Sequence, residues 1–225
     1  MSRGPHWNQP GGRHRESRHR NVAGRERELR AMADAVRRLV RITTENAAGP
    51  EETAAAAARI GALADELEAH VPASPPSHYG AVPEDPEAHD VFPYDIVLGI
   101  YNPLALPVEM TWEPPRAVGH ARFDGPYEGP PGCVHGAVLA AVFDQVLNIA
   151  NLMSGTVGPT ANLSLEYRRP TPLHEPLVFE AWIESVMERK IRTVGHVRFG
   201  DYVCVEASGL FIQFDPAQSM RLQEL

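Results

Sequence analysis

Cysteine is scarce in this 225-residue chain, which carries only Cys133 and Cys204. Two thiols build neither a disulfide framework nor a four-thiolate zinc site, and they fit a reducing compartment. No apolar stretch approaches the ~18 residues of a membrane span, and the N-terminus lacks the hydrophobic core of a signal peptide. The ten histidines include no His-x-x-x-His spacing and the cysteines no Cys-x-x-Cys, so neither a metal nor a cofactor is expected. A glycine-rich phosphate loop is missing as well. Positive charge is confined to the start: residues 1–30 carry a balance of +5, and residues 31–225 carry −13. An acidic body argues against nucleic acid as the main partner, because phosphate neutralisation needs a basic face. The run Arg13-His14-Arg15-Glu16-Ser17-Arg18-His19-Arg20 has no apolar residue to fold around. It reads as a solvated tail, with contact to an anionic surface as the alternative. These absences together point to the cytoplasm.

What is present falls into five stretches: a basic tail at 1–22, a helical hairpin at 23–71, a proline-rich linker at 72–92, a main domain at 93–216 and a tail at 217–225. In the first helix, from Glu26 to about Glu45, Leu29, Met32, Val36, Leu39 and Val40 recur at helical spacing. The second follows Ala48-Gly49-Pro50 and runs to about His70, with Ile60, Leu63 and Leu67 on one side. Pro50 suits a first turn, and Glu51 and Glu52 suit the positive helix end. Ala-rich faces bury little, so this pair must dock on the main domain or on another subunit.

The main domain has two groups of strand-like segments. Val108–Trp112 and Val118–Phe123 flank Pro114-Pro115, and residues 161–167 alternate apolar and polar without a miss. Leu177–Met187, Ile191–Phe199 and Tyr202–Phe214 follow, the last two joined by Gly200-Asp201, a two-residue hairpin signal. Between the groups, from about His135 to Asn151, lies one long helix that is apolar over most of its circumference and should be buried. A single buried helix needs a sheet curved around it. The fold class is therefore α+β, one antiparallel sheet wrapping one central helix.

Asp144 stands in that helix between Phe143 and Gln145, where hydrocarbon would pack better. An unpaired carboxylate there costs several kcal/mol or titrates abnormally. It belongs to a stripe of small and polar residues, Ala137, Ala141, Asp144, Asn148 and Asn151. The stripe is either a polar seam satisfied by another protein surface, or the wall of a cleft in which Asp144 acts as general base or nucleophile. The helix start favours the cleft. Gly129-Pro130-Pro131-Gly132-Cys133-Val134-His135-Gly136 is a stiff loop entering a helix N-terminus, whose free N–H groups stabilise an oxyanion. Gly136 admits a substrate carbonyl close to the backbone. His135 either fixes the loop or polarises the carbonyl. Cys133 is a poor nucleophile candidate, since no orienting acid accompanies it.

Nine residues separate His135 from Asp144, which is ~13–14 Å along a helix and on opposite sides of it. One carbonyl cannot meet both the Gly136 amide and the Asp144 carboxylate of one chain. A symmetric pair of chains would supply one group each.

Gly132-Cys133-Val134-His135-Gly136, followed nine positions after the histidine by Asp144 in Phe143-Asp144-Gln145, resembles the PaaI-type acyl-CoA thioesterases of the hotdog-fold superfamily. The stretch from Thr160 to Pro170, with its Tyr-x-x-Pro ending, is similar to the strand that follows in that family. The resemblance spans roughly residues 93–215 and leaves the helical hairpin aside. It implies hydrolysis of an acyl-CoA to free acid and coenzyme A. It also implies that Asp144 activates water or attacks the carbonyl, that the Gly136 amide binds the thioester oxygen beside His135, and that Thr160 positions the water. Homodimers or homotetramers with sites between subunits are implied too. Two positions depart from the family pattern: Ala137 replaces the second glycine of His-Gly-Gly, and Gly129 replaces a polar residue. Asn148 faces the expected junction, and Arg168, Arg169, Arg189 and Lys190 sit at strand ends where phosphates of coenzyme A could be held. The rival readings are a non-catalytic acyl-CoA sensor or scaffold and a dehydratase or hydratase of the same fold.

Overall fold

The computed structural model describes residues 22–73 and 92–213. Nearly all of the basic tail and of the linker, and the whole C-terminal tail, lie outside the described residues. Two helices come first, α1 (Glu26–Glu45) and α2 (Pro50–Glu68). After them come β1 (Val108–Glu113), β2 (Arg116–Ala121), a 3-10 turn at Gly125–Tyr127 and α3 (Gly136–Met153). The chain closes with β3 (Thr160–Tyr167), β4 (Leu177–Met187), β5 (Lys190–Phe199) and β6 (Tyr202–Ile212).

All six strands form one antiparallel sheet in the order β1-β2-β4-β5-β6-β3. The expected α+β architecture is present, with α3 lying across one face of the sheet. An 18-residue helix is about 27 Å long. That suffices to cross the roughly 19 Å between β2 and β3, four strand spacings apart. Leu139, Val142, Phe143, Val146, Leu147 and Ile149 of α3 are buried against the sheet. Phe143 meets Phe179 of β4 edge-on, with ring centroids 5.2 Å apart. The length of α3 and its mean hydropathy of 1.4 correct the expectation that no apolar stretch reaches spanning length. Half of that stretch is buried inside the protein.

β3 forms one edge of the sheet, hydrogen-bonded only to β6 among the described strands. Its two ends therefore stand at opposite ends of an open edge. On the outer face of the sheet, Glu180 accepts from Arg116 at 2.7 Å and pairs with His196 at 2.9 Å. Burial pushes the Glu180 carboxyl up, but Arg116 and His196 together more than offset it and hold it below its ordinary value.

The expected docking of the N-terminal helices is made by α1. Arg37 donates to the carbonyls of Gly99, Ile100 and Asn102 at 3.2, 3.1 and 2.7 Å, and Glu45 accepts from the Gly125 amide at 3.2 Å. By contrast, α2 has no buried residue.

Candidate active site

His135 caps α3, and its Nδ1 accepts from the Ala137 amide at 3.0 Å. An amide only donates, so Nδ1 carries no proton and the neutral ring bears its hydrogen on Nε2. The amides of Val138 and Leu139 donate to the His135 carbonyl at 3.0 and 3.2 Å. Among the described residues the Gly136 amide has no partner, which leaves a free donor at the positive end of a helix.

Tyr167, the last residue of β3, donates its hydroxyl to the Gly136 carbonyl at 3.0 Å. The peptide joining Gly136 to Ala137 is thus held at its oxygen by Tyr167 and at its N–H by His135. A Cβ at position 136 would lie 3.1 Å from the Tyr167 hydroxyl, so the glycine makes room for this clamp as well as for a ligand. The clamp was not read from the sequence, where Tyr167 counted only as part of a Tyr-x-x-Pro ending.

The loop before α3 is stiffened by its own bonds. His135 donates to the Tyr127 carbonyl at 2.8 Å, Val134 to that of Thr171 at 2.8 Å, and Gly132 to the Glu128 carboxylate at 2.7 Å. Gly129 packs directly on His135, where a Cβ would come within 2.8 Å of the histidine Cα. The missing polar side chain at 129 therefore has a steric cause: no side chain fits there unless the backbone moves.

A cleft of about 430 Å³ opens at this turn, lined by Cys133, Gly136, Leu139, Tyr167, Arg168 and Arg169 among others. Arg168 pairs with Glu206 at 2.7 Å and with Glu166, and Arg169 lies over the Tyr202 ring at 4.9 Å. A larger cavity of about 540 Å³, between α1 and the β1–β2 edge, contains none of the expected site residues.

Asp144 is half-buried, halfway along α3, and accepts from the Thr160 hydroxyl at 2.7 Å. With Thr160 donating to Oδ1, Oδ2 remains available to take a proton. Asn148 is half-buried one turn farther on, while Asn151 is fully buried and accepts from the Thr193 hydroxyl. The polar stripe thus has two parts, an open one at Asp144 and Asn148 and a buried structural one at Asn151.

One protomer does not gather all these groups. Thr160, bonded to Asp144, and Tyr167, bonded to Gly136, stand at opposite ends of β3, seven residues and about 24 Å apart along the strand, and Gly136 and Asp144 are eight residues and about 12 Å apart along α3. The basic residues divide the same way. Arg168 and Arg169 line the cleft, whereas Lys190 pairs with Ile212 near the Thr160 end and Arg189 donates to the Gln213 carbonyl there. The four do not share one mouth within a chain.

Residues 131–197 match the family model of the thioesterase superfamily. Acyl-coenzyme A thioesterase THEM4 of Bos taurus is 36% identical over 98 residues, which cover 42% of this chain and 40% of that protein. THEM4 of Xenopus laevis is 36% identical over 96 residues, covering 41% of this chain and 43% of that one. The match therefore spans about two fifths of these curated relatives. The crystal structure of RHA08564, a thioesterase superfamily protein, is 36% identical and superposes with a TM-score of 0.71. That likeness covers 82% of this chain and 94% of the other.

Proposed function

This chain belongs to the thioesterase superfamily, and we propose that it hydrolyses the thioester of an acyl-CoA to a free acid and coenzyme A. The observation that carries the reading is the pair of half-sites at the two ends of an edge strand. Antiparallel pairing of β3 with β3 of a second copy sets the Thr160 end of one chain beside the Tyr167 end of the other. Each junction then holds Asp144 and Thr160 from one protomer and the free Gly136 amide from its partner. A dimer is the smallest assembly with a complete site.

In that site the thioester oxygen accepts from the Gly136 amide, and His135 Nε2–H is the second donor at the same turn. Asp144 takes a proton from water as the water oxygen bonds to the acyl carbon. Collapse of the tetrahedral intermediate breaks the C–S bond, and the proton held on Asp144 passes to the departing thiolate, which restores the carboxylate. Thr160 keeps the carboxylate turned toward the water. Asn148, one turn away on the same face, lines the acyl side. Arg169 of one chain and Arg189 and Lys190 of the other bring positive charge to one mouth, which suits the phosphates of coenzyme A, beside an Arg168 already paired with Glu166 and Glu206.

The test is thiol release from a panel of acyl-CoAs by wild-type and Asp144→Asn protein. Loss of release by about 10²–10⁴-fold with the fold intact is expected for a positioned base. Equal release by both proteins overturns the role of Asp144, and acyl-CoA binding without release from the wild type replaces the hydrolase with a sensor.

A further inference from the structure

We propose that α2 of one copy of this chain lies along α1 of a second copy, an interface separate from the β3 edge and independent of the hydrolase reading. The case starts from an identical pattern on two helices. Leu29, Met32, Val36, Leu39 and Thr43 form a stripe on α1 with spacings of three, four, three and four. Thr53, Ala56, Ile60, Leu63 and Leu67 repeat those spacings on α2. A 3-4 alternation of this kind is the seam along which two helices pack side by side.

Among the described residues both seams stay largely open, with Leu29, Leu39 and Ala56 half-buried. Met32, Val36, Ile60, Leu63 and Leu67 are 37–50% exposed. α1 already uses another face to hold the main domain, through buried Ala33 and through Arg37. Val36 is about 100° round the helix from Arg37 and about 60° from Ala33, so its seam runs beside the docked face. Asn46 and Gly49 at the two ends of the link are extended, and α2 does not pack along α1 of the same chain. A 19-residue helix with nothing buried is marginal in water, so α2 needs a covering surface.

Charge selects which surface. Residues 26–45 carry five arginines against four acids, a balance of +1, whereas residues 50–68 carry −4. Two α2 helices repel each other, and α2 against α1 joins opposite signs. A second copy supplies an α1 with its seam open and its other face already anchored. Val36 and Ile60 are the centres of their seams, so they meet whichever way the two helices run.

The experiment uses the full chain with Cys133→Ser, leaving only buried Cys204. Two differently tagged copies are produced together, one with Val36→Cys and the other with Ile60→Cys, and oxidised. The mixed pair is expected as the main cross-linked product. Amide exchange gives a second readout: α2 is expected to exchange at least about tenfold more slowly in wild type than in Ile60→Asp, with Val36→Asp releasing α2 as well. Neither substitution touches the sheet core. A doubly substituted chain that closes on itself in dilute solution overturns the proposal. So do cross-links formed only between Ile60→Cys copies, or α2 exchange that is equal in all three proteins.

Discussion

The Thr160 hydroxyl donates to Asp144 Oδ1 across 2.7 Å, tying the first residue of β3 to the middle of α3. Two residues sixteen positions apart in sequence thereby fix one carboxylate against the sheet edge. A hydrogen bond to a charged group contributes about 1.5–3 kcal/mol. Thr160→Val is accordingly expected to lower kcat by roughly 10–100-fold with KM little changed, and Thr160→Ser to retain most activity. Steady-state thiol release decides this, and a fully active valine variant would reduce Thr160 to a packing residue.

Gly136→Pro removes the free amide without breaking the helix. Proline is favoured at the first helical position, and His135 before it already has φ −63 and ψ 135, as a pre-proline residue requires. The expected loss is about 10²–10³ in kcat, the cost of one oxyanion donor. The new ring needs Tyr167 to yield a few tenths of an ångström, so circular dichroism and thermal unfolding accompany the kinetics.

Two dead variants should rescue each other. In a mixed dimer of Asp144→Asn and Gly136→Pro chains, one of the two junctions receives a native Asp144 and a native Gly136. Purified mixed dimers are therefore expected to show about half the wild-type activity, following from the twofold arrangement. Activity no higher than that of the separate variants would place both groups of each site in a single chain.

The Tyr167 clamp predicts a split between binding and turnover. Tyr167→Phe keeps the ring against Gly136 but releases the carbonyl, so the oxyanion turn loses one of its two restraints. A drop of about 3–10-fold in kcat is expected from one neutral hydrogen bond, with KM and melting temperature nearly unchanged.

Glu180 gives a stability signature in acid. Its carboxyl is held below the ordinary value by Arg116 and His196 against the effect of burial. The stabilisation is therefore complete above the ordinary value and lost as pH falls through the lowered one. Glu180→Gln is expected to cost about 1–3 kcal/mol at neutral pH, with wild type and variant converging in acid. Thermal melts across pH 3–7 test the convergence.

Much of the fold was legible because local rules governed it. Pro114-Pro115 and Gly200-Asp201 marked turns that do join β1 to β2 and β5 to β6, and the apolar circumference of residues 135–151 marked the central helix. The Asp144–Thr160 pair was foreshadowed by the family pattern, and the opposition of Gly136 and Asp144 by helix geometry alone. Long-range side-chain contacts were not legible. Nothing local to Tyr167 announces that its hydroxyl reaches a carbonyl thirty-one residues earlier. Nothing near Gly129 says that its missing Cβ makes room for His135. The division of the four basic residues between two sheet ends follows from strand order, which periodicity does not encode.

Placing both half-sites at the termini of one open strand makes strand registry a catalytic parameter. A slip of two residues along that seam keeps every side chain on its proper side of the sheet, yet it displaces the base from the facing amide by about 7 Å. In the proposed dimer, mispaired protomers would thus remain folded and associated while turning over nothing.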